Sequence, residues 1–382
     1  MPTIHGAPCI THRGDCTAVA ITCTGGHLTA DFTLPDGRVV SPYSRSPWTP
    51  DEAGPDLPSL LSHLRGDFFC LPFGPQQDGP PHGDPANAAW QHATGSPAPL
   101  DLLQETTDTR CEVRKRIGTE AQHTALYIEH CVTGLSGRWS YGSHPILDFS
   151  NLPDGAGRVT TSPIRWASTY PGLFSDPANK EYQALQPDTE FADLRRVPLA
   201  PEPPTSLENT GRAEQLKTTD LTRYPARPGR DDLVMLVNES ATEAQPFAWT
   251  AAVLDGYLWF SLKNPADFPA TLFWISNGGR HDAPWNGMHT KRLGLEEVCS
   301  HFCDDVAVSR EDRLAAQGIP TTREFHPDRA TTLRLVQAVA PVPENFGAVE
   351  SIVPAGDQSL CISSDRGQSI EAACNWRFVR NH

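Results

Sequence analysis

Proline and glycine recur so often along this chain that few segments remain long enough for a regular helix. The 382 residues include 36 prolines and 29 glycines, and a proline inside a helix removes a hydrogen bond and clashes with the preceding turn. Between them lie short apolar or alternating runs, such as 18–22, 125–130, 233–237 and 257–262. Runs of this length between turn residues are typical of β-strands. We therefore predict an all-β, mainly antiparallel protein, a sandwich or barrel with few short helices.

Three segments are candidates for short helices, namely 58–64, 295–302 and 310–317. A proline-rich stretch at 197–205 could mark a domain boundary. Strand-like patterning resumes on both sides of it without a change of character. We therefore predict one domain over residues 1–382, with a surface loop near 197–205.

The charge balance limits the kinds of partner. With 46 acidic and 31 basic residues the net charge is −15, whereas nucleic-acid binding needs a basic face. No apolar run reaches the length of about 18 residues that a membrane span requires. A small neutral ligand is the expected partner, with neither nucleic acid nor membrane; the oligomeric state cannot be read from the sequence.

The ten cysteines could form disulfides or remain reduced. The first residues show no basic segment followed by an apolar stretch, so we predict a cytoplasmic protein with reduced thiols. Cys299 and Cys303 flank His301 and could bind a metal, although paired C-x-x-C spacing is lacking. The alternative is that all three are half-buried packing residues.

A first histidine lies in a loop defined by turn residues. The run 65–74, RGDFFCLPFG, is followed by His82-Gly83, then by Asn87 and Trp90. Proline before His82 fixes the backbone and glycine after it frees the backbone, so the loop can hold an imidazole at the mouth of a site. The alternative is a histidine that only bonds a loop carbonyl.

A second histidine, His144, follows the alternating segment 139–143 in the motif Gly-Ser-His-Pro. Regular strand alternation would direct Trp139, Tyr141 and Ser143 to one face and His144 to the other. Gly142 could mark a bulge that redirects the imidazole. An ordinary turn histidine is the alternative.

A carboxylate could complete a proton-transfer site with these histidines. Segment 273–287 is an aromatic, glycine-rich loop, and the run Leu293-Gly294-Leu295 precedes Glu296. Burial beside apolar residues would raise the pKa of Glu296 toward the range useful for proton transfer. Alternatively it could be a carboxylate at a helix start, a role for which Glu297 is the better candidate.

Taken in order, these segments resemble motifs of the aldose and hexose-phosphate 1-epimerases. The run 65–74 resembles their Arg-Gly…Cys-x-Pro-x-Phe-Gly stretch, and His82-Gly83 with Trp90 resembles their His-Gly…Trp element. Residues 142–145 resemble their second histidine motif, and Glu296 resembles their late glutamate. The resemblance covers roughly residues 15 to 345. It implies the galactose-mutarotase-like β-supersandwich, with a pyranose bound on its concave face.

The resemblance also implies roles for individual residues. Glu296 would be the base that takes the proton of the anomeric hydroxyl, and His144 the acid that protonates the ring oxygen. Four further polar residues and two aromatic ones are expected to bind or stack on the sugar without a cofactor. The expected substrate-binding residues are Arg65, His82, Asn87, Trp90, Arg280 and Trp285.

The sequence departs from this pattern at two places. After His82-Gly83 the hexose-phosphate enzymes carry an arginine that meets the phosphate, whereas this chain has Asp84-Pro85-Ala86. We therefore expect an unphosphorylated sugar. The proline that follows the late glutamate in many members is replaced by Glu297.

A second class of function stays open on the same fold. The protein could be a metal-assisted carbohydrate lyase or isomerase, or a carbohydrate-binding protein without activity. A divalent ion would take imidazole and carboxylate ligands and polarise a keto or uronate group. The candidate ligands are His82, His144, His281, His289 and Glu296.

Overall fold

The computed structural model describes residues 1–93, 98, 100–201 and 217–380. Strands account for 43% of the structure and helices for 8%, and the strand pairings in the described ranges are antiparallel. The predicted all-β class is confirmed. The strands are β1 (Thr3–Ile4), β2 (Ala7–Arg13), β3 (Thr17–Thr22), β4 (Leu28–Thr33), β5 (Val39–Val40), β6 (Phe69–Cys70), β7 (Gln91–His92), β8 (Asp101–Glu105), β9 (Glu112–Gly118), β10 (Ala125–Thr133), β11 (Gly137–Trp139), β12 (Tyr141–Ser143), β13 (Ile146–Asp148), β14 (Gly157–Thr161), β15 (Ile164–Thr169), β16 (Val197–Pro198), β17 (Thr218–Thr219), β18 (Arg223–Tyr224), β19 (Arg230–Asn238), β20 (Ala248–Val253), β21 (Tyr257–Lys263), β22 (Ala270–Asn277), β23 (Arg292–Cys299), β24 (Arg323–Phe325), β25 (Thr331–Pro341), β26 (Val349–Pro354), β27 (Ser359–Ser364) and β28 (Ser369–Ala373).

Helices in the described ranges are single turns. Of the three predicted helices, 58–64 is confirmed as a short turn, 310–317 holds only a 3₁₀ turn, and 295–302 is wrong because strand β23 runs through it. None of the helices in the described ranges has the length and apolar character needed to span a bilayer. The α-helices are α1 (Pro50–Ala53), α2 (Ser59–Ser62) and α3 (Val306–Ser309), and the 3₁₀ turns are Asp84–Ala86, Pro177–Asn179, Leu194–Arg196, Ala315–Gln317 and Trp376–Arg380.

Two large sheets pack face to face. One has nine strands in the order β18-β14-β20-β21-β25-β10-β9-β8-β7, and the other contains β15-β19-β22-β23-β12-β6, with β13 paired to β23. Successive side chains of β22 alternate between faces: Phe273 and Ile275 join the core between the sheets, whereas Leu272 and Trp274 pack on the opposite face. Burying one such large side chain contributes about 1.5–3 kcal/mol. The opposite face of the smaller sheet is the one that carries the site.

The last three strands form a separate small sheet, β26-β27-β28. Its Ile352, Leu360 and Ile362 pack against Phe260 and other apolar residues on the outer face of the nine-stranded sheet. The interpretation of residues 1–382 as one domain stays a prediction.

The proline-rich stretch is in part an ordered element. Val197–Pro198 is strand β16 and pairs with β17, and Val197 is buried. These two residues therefore form a strand and not the predicted loop, with Val197 buried and Pro198 half-buried. Residues 202–205 lie outside the described residues.

Strand β23 settles the role of Glu297. Alternation turns its side chain toward the core between the sheets, where Glu297 Oε2 lies 2.6 Å from Lys263 Nζ and both side chains are fully buried. Thr271 donates a hydrogen bond to the same carboxylate over 2.7 Å. The expected helix-start role is wrong, because residue 297 lies within a strand. Glu297 instead joins the two sheets through a buried ion pair.

Candidate active site

The loop that carries His82 is held in a single shape. His82 and Gly83 both have positive φ, 63° and 72°, and a Cβ on Gly83 would lie 2.0 Å from the carbonyl oxygen of Leu71, so glycine is required there. The Gly74 N–H donates to His82 Nδ1 over 3.3 Å. This bond assigns the ring proton to Nε2, which makes His82 a hydrogen-bond donor at the cavity that it lines.

Asn87 supports this loop instead of contacting the cavity. Its Nδ2 donates to the carbonyl oxygens of Pro81 and Gly83 over 2.7 and 2.8 Å, and its Oδ1 accepts from the Leu60 N–H over 2.9 Å. The predicted sugar contact of Asn87 is therefore wrong, since its amide is used to position the His82 loop.

His144 follows directly after strand β12. Ser143 turns into the core and donates to Asp67 over 2.7 Å, so His144 emerges on the opposite face, as the alternation predicts. Its ring stacks on Phe68 with 4.5 Å between centroids and meets the edge of Trp274 at 5.7 Å. These aromatic neighbours fix the plane of the imidazole and exclude water from one side.

Glu296 projects from β23 on the same face of the sheet. Gly294, two residues earlier on that face, leaves the space that the carboxylate occupies: a Cβ there would lie 2.5 Å from Glu296 Oε1. Glu296 Oε1 lies 3.2 Å from His144 Nε2, and both side chains are buried. The third member predicted from the sequence therefore stands in direct contact with the second histidine.

Burial shifts the pKa values of these groups in opposite directions. Desolvation raises the pKa of Glu296 well above its ordinary value. Desolvation, with the neighbouring His82 and His27, lowers the pKa of His144 well below the usual 6.5, and desolvation lowers that of His82 to about 4. Burial therefore disfavours the charged form of each of these three groups.

The three groups line a cavity of about 390 Å³, within the usual size range for small-molecule sites. Arg280 and Trp285, two of the predicted substrate-binding residues, also line it. The guanidinium carbon of Arg280 lies 5.0 Å from the ring of Trp285, and its Nε lies 3.5 Å from the buried Asp231. Arg280 is therefore a partly neutralised cation on the cavity wall.

Arg65 lies outside the cavity. Its guanidinium is almost completely buried and donates to three backbone carbonyls, those of His63, Ile4 and His5, over 3.1, 2.7 and 3.2 Å. The predicted contact between Arg65 and a sugar is wrong, because its donors hold the N-terminal segment against the 63–65 backbone.

Trp90 is likewise structural. Its indole N–H donates to the carbonyl oxygen of Pro85 over 2.9 Å, and Lys115 Nζ lies 5.3 Å from its ring. The ring packs in the core between the sheets and is not among the cavity-lining side chains. The predicted stacking platform at Trp90 is wrong.

The candidate metal ligands are not assembled into one cluster. Within the described ranges, no group of three or more His, Cys, Asp and Glu side chains has a metal-binding arrangement. His281 is exposed and packs against Tyr182. His289 is buried, with Nδ1 2.7 Å from the Ser276 hydroxyl and its ring stacked on Trp274 at 5.6 Å. His281 is therefore an exposed loop side chain, and His289 is a buried packing residue.

The cysteine-histidine segment also has structural partners. His301 Nδ1 pairs with Asp304 Oδ2 over 2.7 Å, and Cys299 Sγ points to the carbonyl oxygen of Pro320. Cys303 alone of the three predicted ligands lines the cavity. The ten cysteines are free of disulfides.

Several cavity residues were not found from the sequence. Trp274 lies within the aromatic segment at 273–287. Because consecutive strand residues face opposite sides of a sheet, its position next to Phe273 could have identified it as a cavity residue. Tyr170, Phe174 and Asp304 come from loops with no readable pattern. The Tyr170 hydroxyl donates to Asp304 Oδ1 over 2.5 Å, which joins two chain segments at the cavity wall.

Comparisons with solved structures identify the fold. A candidate aldose 1-epimerase from Klebsiella pneumoniae superposes with a TM-score of 0.56 at 12% identity, covering 88% of this chain and 80% of that one. A candidate aldose 1-epimerase from Escherichia coli K12 gives 0.52 at 12% identity, covering 88% and 100%. A galactose mutarotase related enzyme from Lactobacillus acidophilus gives 0.52 at 10% identity, covering 88% and 99%. No family model and no curated protein matches the sequence. The chain therefore has the galactose-mutarotase-like fold of the aldose 1-epimerase-like structures.

Proposed function

We propose that this protein is an aldose 1-epimerase that interconverts the anomers of an unphosphorylated sugar. The observation that carries the proposal is the buried contact of 3.2 Å between Glu296 and His144 at the wall of the cavity. Anomer exchange needs one base and one acid at the two oxygens of a single hemiacetal carbon. Since these two oxygens are bonded to the same carbon, a base and an acid that are close neighbours can reach both of them.

The proposed reaction starts from a Glu296–His144 pair that shares one proton, since desolvation disfavours the charged form of both groups. Transfer of this proton across the contact produces a Glu296 carboxylate and a His144 imidazolium, a state that the hydroxyls of a bound sugar would stabilise by hydrogen bonding. The carboxylate takes the proton of the anomeric hydroxyl while the imidazolium protonates the ring oxygen. The C1–O5 bond breaks, the aldehyde rotates about the C1–C2 bond, and the reverse steps close the other anomer. No electrons leave the sugar, so the proposed reaction needs no cofactor.

The neighbouring side chains have supporting roles in this proposal. His82 stays neutral because burial lowers its pKa to about 4, and its Nε2–H can donate to a sugar oxygen. Trp274 and Trp285 line the cavity and can cover the C–H face of a pyranose. Asp84 does not line the cavity. Its carboxylate accepts hydrogen bonds from the Thr107 N–H and hydroxyl over 2.6 and 2.7 Å, so it would not contact a phosphate group on the sugar directly.

Saturation-transfer NMR on a panel of aldoses tests the proposal. Glu296→Gln and His144→Gln should each lower the exchange rate by about 10²–10⁴-fold, the usual contribution of a positioned acid or base. His281→Gln, at an exposed histidine of the neighbouring loop, is the matched control and should exchange at the wild-type rate. Full exchange by the Glu296→Gln variant would contradict the assignment.

A further inference from the structure

The guanidinium group of Arg280 is a hydrogen-bond donor that the described part of the chain leaves unused. Its Nε is buried without a hydrogen-bond partner, and it is the guanidinium nitrogen closest to Asp231 and to Glu181, at 3.5 and 3.8 Å. Arg280 lines the cavity. The indole N–H of Trp274, another cavity-lining side chain, is also buried without a partner. Because a buried donor without an acceptor is costly, a ligand that brings oxygen atoms to this wall gains affinity.

Arg280 is fixed in place before a ligand arrives. Its backbone pairs with that of Glu181 in an isolated β-bridge. Its guanidinium carbon lies 5.0, 5.3 and 5.6 Å from the ring centres of Trp285, Phe174 and Trp274, which are distances typical of cation–π contacts. A donor held among three rings loses little conformational freedom when it binds a ligand, so more of the hydrogen-bond energy contributes to affinity.

Two carboxylates compensate the charge of Arg280. Asp231 is buried, and its carboxylate accepts hydrogen bonds from the Ser276 hydroxyl over 2.8 Å and from two backbone N–H groups of segment 277–279 over 3.1 and 2.9 Å. These bonds favour the ionised form of the carboxyl group. Glu181 approaches from the partly exposed side. One cation beside two carboxylates does not produce the positive field that would attract an acidic ligand group.

This charge arrangement distinguishes neutral sugars from acidic ones. A sugar hydroxyl can accept a hydrogen bond from the guanidinium, and a bond from a charged donor is roughly twice as strong as one between neutral groups. A carboxylate on the sugar would accept the same bond, but Asp231 and Glu181 would repel it. Asp304, whose carboxylate also belongs to the cavity wall, would add to this repulsion. Like charges placed in this way are a common means of rejecting the wrong ligand.

We infer that the substrate is a neutral sugar with its ring hydroxyls intact, that Arg280 binds hydroxyl oxygens of this sugar, and that Asp231 and Glu181 exclude sugar acids such as uronates. The inference rests on the proposed function for the hemiacetal end of the sugar, at Glu296 and His144. It adds the chemical class of the substrate and the residues that select it.

The affinities for matched neutral and acidic sugars test the inference. The probes are D-glucose, D-galactose and D-mannose, each beside its uronic acid, at low salt and near neutral pH, where the uronate carboxyl group is ionised. Trp274 and Trp285 line the cavity, so tryptophan fluorescence gives dissociation constants without requiring turnover, and saturation-transfer NMR gives exchange rates. We expect at least one neutral sugar to bind roughly tenfold tighter or more than its uronate, the size expected for one like charge several ångströms away.

Two glutamate variants locate the source of this discrimination. Glu181→Gln removes one repelling carboxylate and should raise the affinity for the uronate by roughly threefold or more, with little change for the neutral sugar. Glu243→Gln is the matched control, because Glu243 is an exposed glutamate that does not line the cavity, and it should keep both affinities. Equal effects of the two variants on the uronate would overturn the role of Glu181.

An arginine variant tests the hydrogen bonds to the hydroxyls. Arg280→Met should lower the affinity for the neutral sugar by roughly 10- to 100-fold, the usual contribution of a hydrogen bond to a charged group, and circular dichroism checks that the variant is folded. A folded Arg280→Met variant that binds the neutral sugar as tightly as the wild type would overturn the role of Arg280.

The outcomes separate this inference from the proposed function. Exchange of neutral and acidic sugars with equal affinity overturns the inference and leaves the epimerase proposal standing. Tighter binding of neutral sugars without exchange of any sugar supports the inference and removes the epimerase proposal. Tighter binding of the uronates, or failure of all three neutral sugars to bind, also overturns the inference.

Discussion

Gly294 offers the sharpest test of how the fold positions the proposed base. It faces the cavity on β23, and a Cβ there would lie 2.5 Å from Glu296 Oε1 and 3.1 Å from Trp274 Cβ. The Trp274 Cβ is held by a strand, whereas the carboxylate is the end of a flexible side chain. In a Gly294→Ala variant the carboxylate therefore moves, by roughly 1 Å, before it reaches ordinary contact near 3.4 Å.

A displacement of this size should lower kcat/KM for anomer exchange by about 10²-fold, since misplacement of a reacting group by about 1 Å has that effect. The added methyl group should also lower the free energy of unfolding by about 1–3 kcal/mol. Saturation-transfer NMR measures the first change and urea denaturation the second.

Gly118→Ala is the matched control for this experiment. Gly118 ends strand β9, and a Cβ there would meet its nearest neighbour, Tyr127 Cβ, at an ordinary 3.5 Å. The control should keep both exchange and stability. A folded Gly294→Ala variant that exchanges anomers within twofold of the wild-type rate would refute the reasoning, because the position of Glu296 would then not matter to the reaction.

Three further predictions concern stability and pH. Lys263→Met should lower the free energy of unfolding by about 3–5 kcal/mol, since it leaves the buried Glu297 carboxylate without its cation. Urea denaturation measures this change. The double variant Lys263→Met/Glu297→Leu should recover most of the lost stability. Arg65→Met should lower the melting temperature without changing KM, because the Arg65 guanidinium binds backbone carbonyls outside the cavity. A raised KM with an unchanged melting temperature would indicate instead that Arg65 contacts the substrate. Burial lowers the folded-state pKa of His82 from 6.5 to about 4, so the unfolded chain binds the proton first, and stability falls as pH drops from about 6.5 to 4. His82→Gln should remove up to about 3 kcal/mol of that fall, as measured by urea denaturation at a series of pH values. An identical pH dependence in the variant would contradict a neutral, desolvated His82 imidazole.

The histidines and the glutamate of the proposed site could be identified from the sequence, whereas the side chains that surround them could not. Turn residues around His82 and strand alternation before His144 indicated where each imidazole would be presented. The same alternation requires Glu296 and Glu297 to face opposite sides once residues 292–299 form a strand. The local pattern around them also suits a helix, and only the pairing of β23 with β22 and β12 decides between the two.

Arg65, Asn87 and Trp90 show the opposite case. Each lies in a motif that resembles sugar-binding enzymes, yet each side chain is used by nearby backbone carbonyls. A motif records which residue types stand at which spacing, and it does not record which polar groups the folded backbone leaves without a partner.

The sequence by itself determined the strand-rich class, through proline and glycine spacing and period-two alternation, because these act over a few residues. It also determined the order of His82, His144 and Glu296 along the chain. Only the tertiary structure decided that Glu296 and His144 touch, that Glu297 joins the two sheets, and that Phe174, Leu173 and Asp304 complete the cavity wall. Those outcomes depend on contacts between segments far apart in the chain, where packing and hydrogen bonding of the whole fold set each side chain's partner.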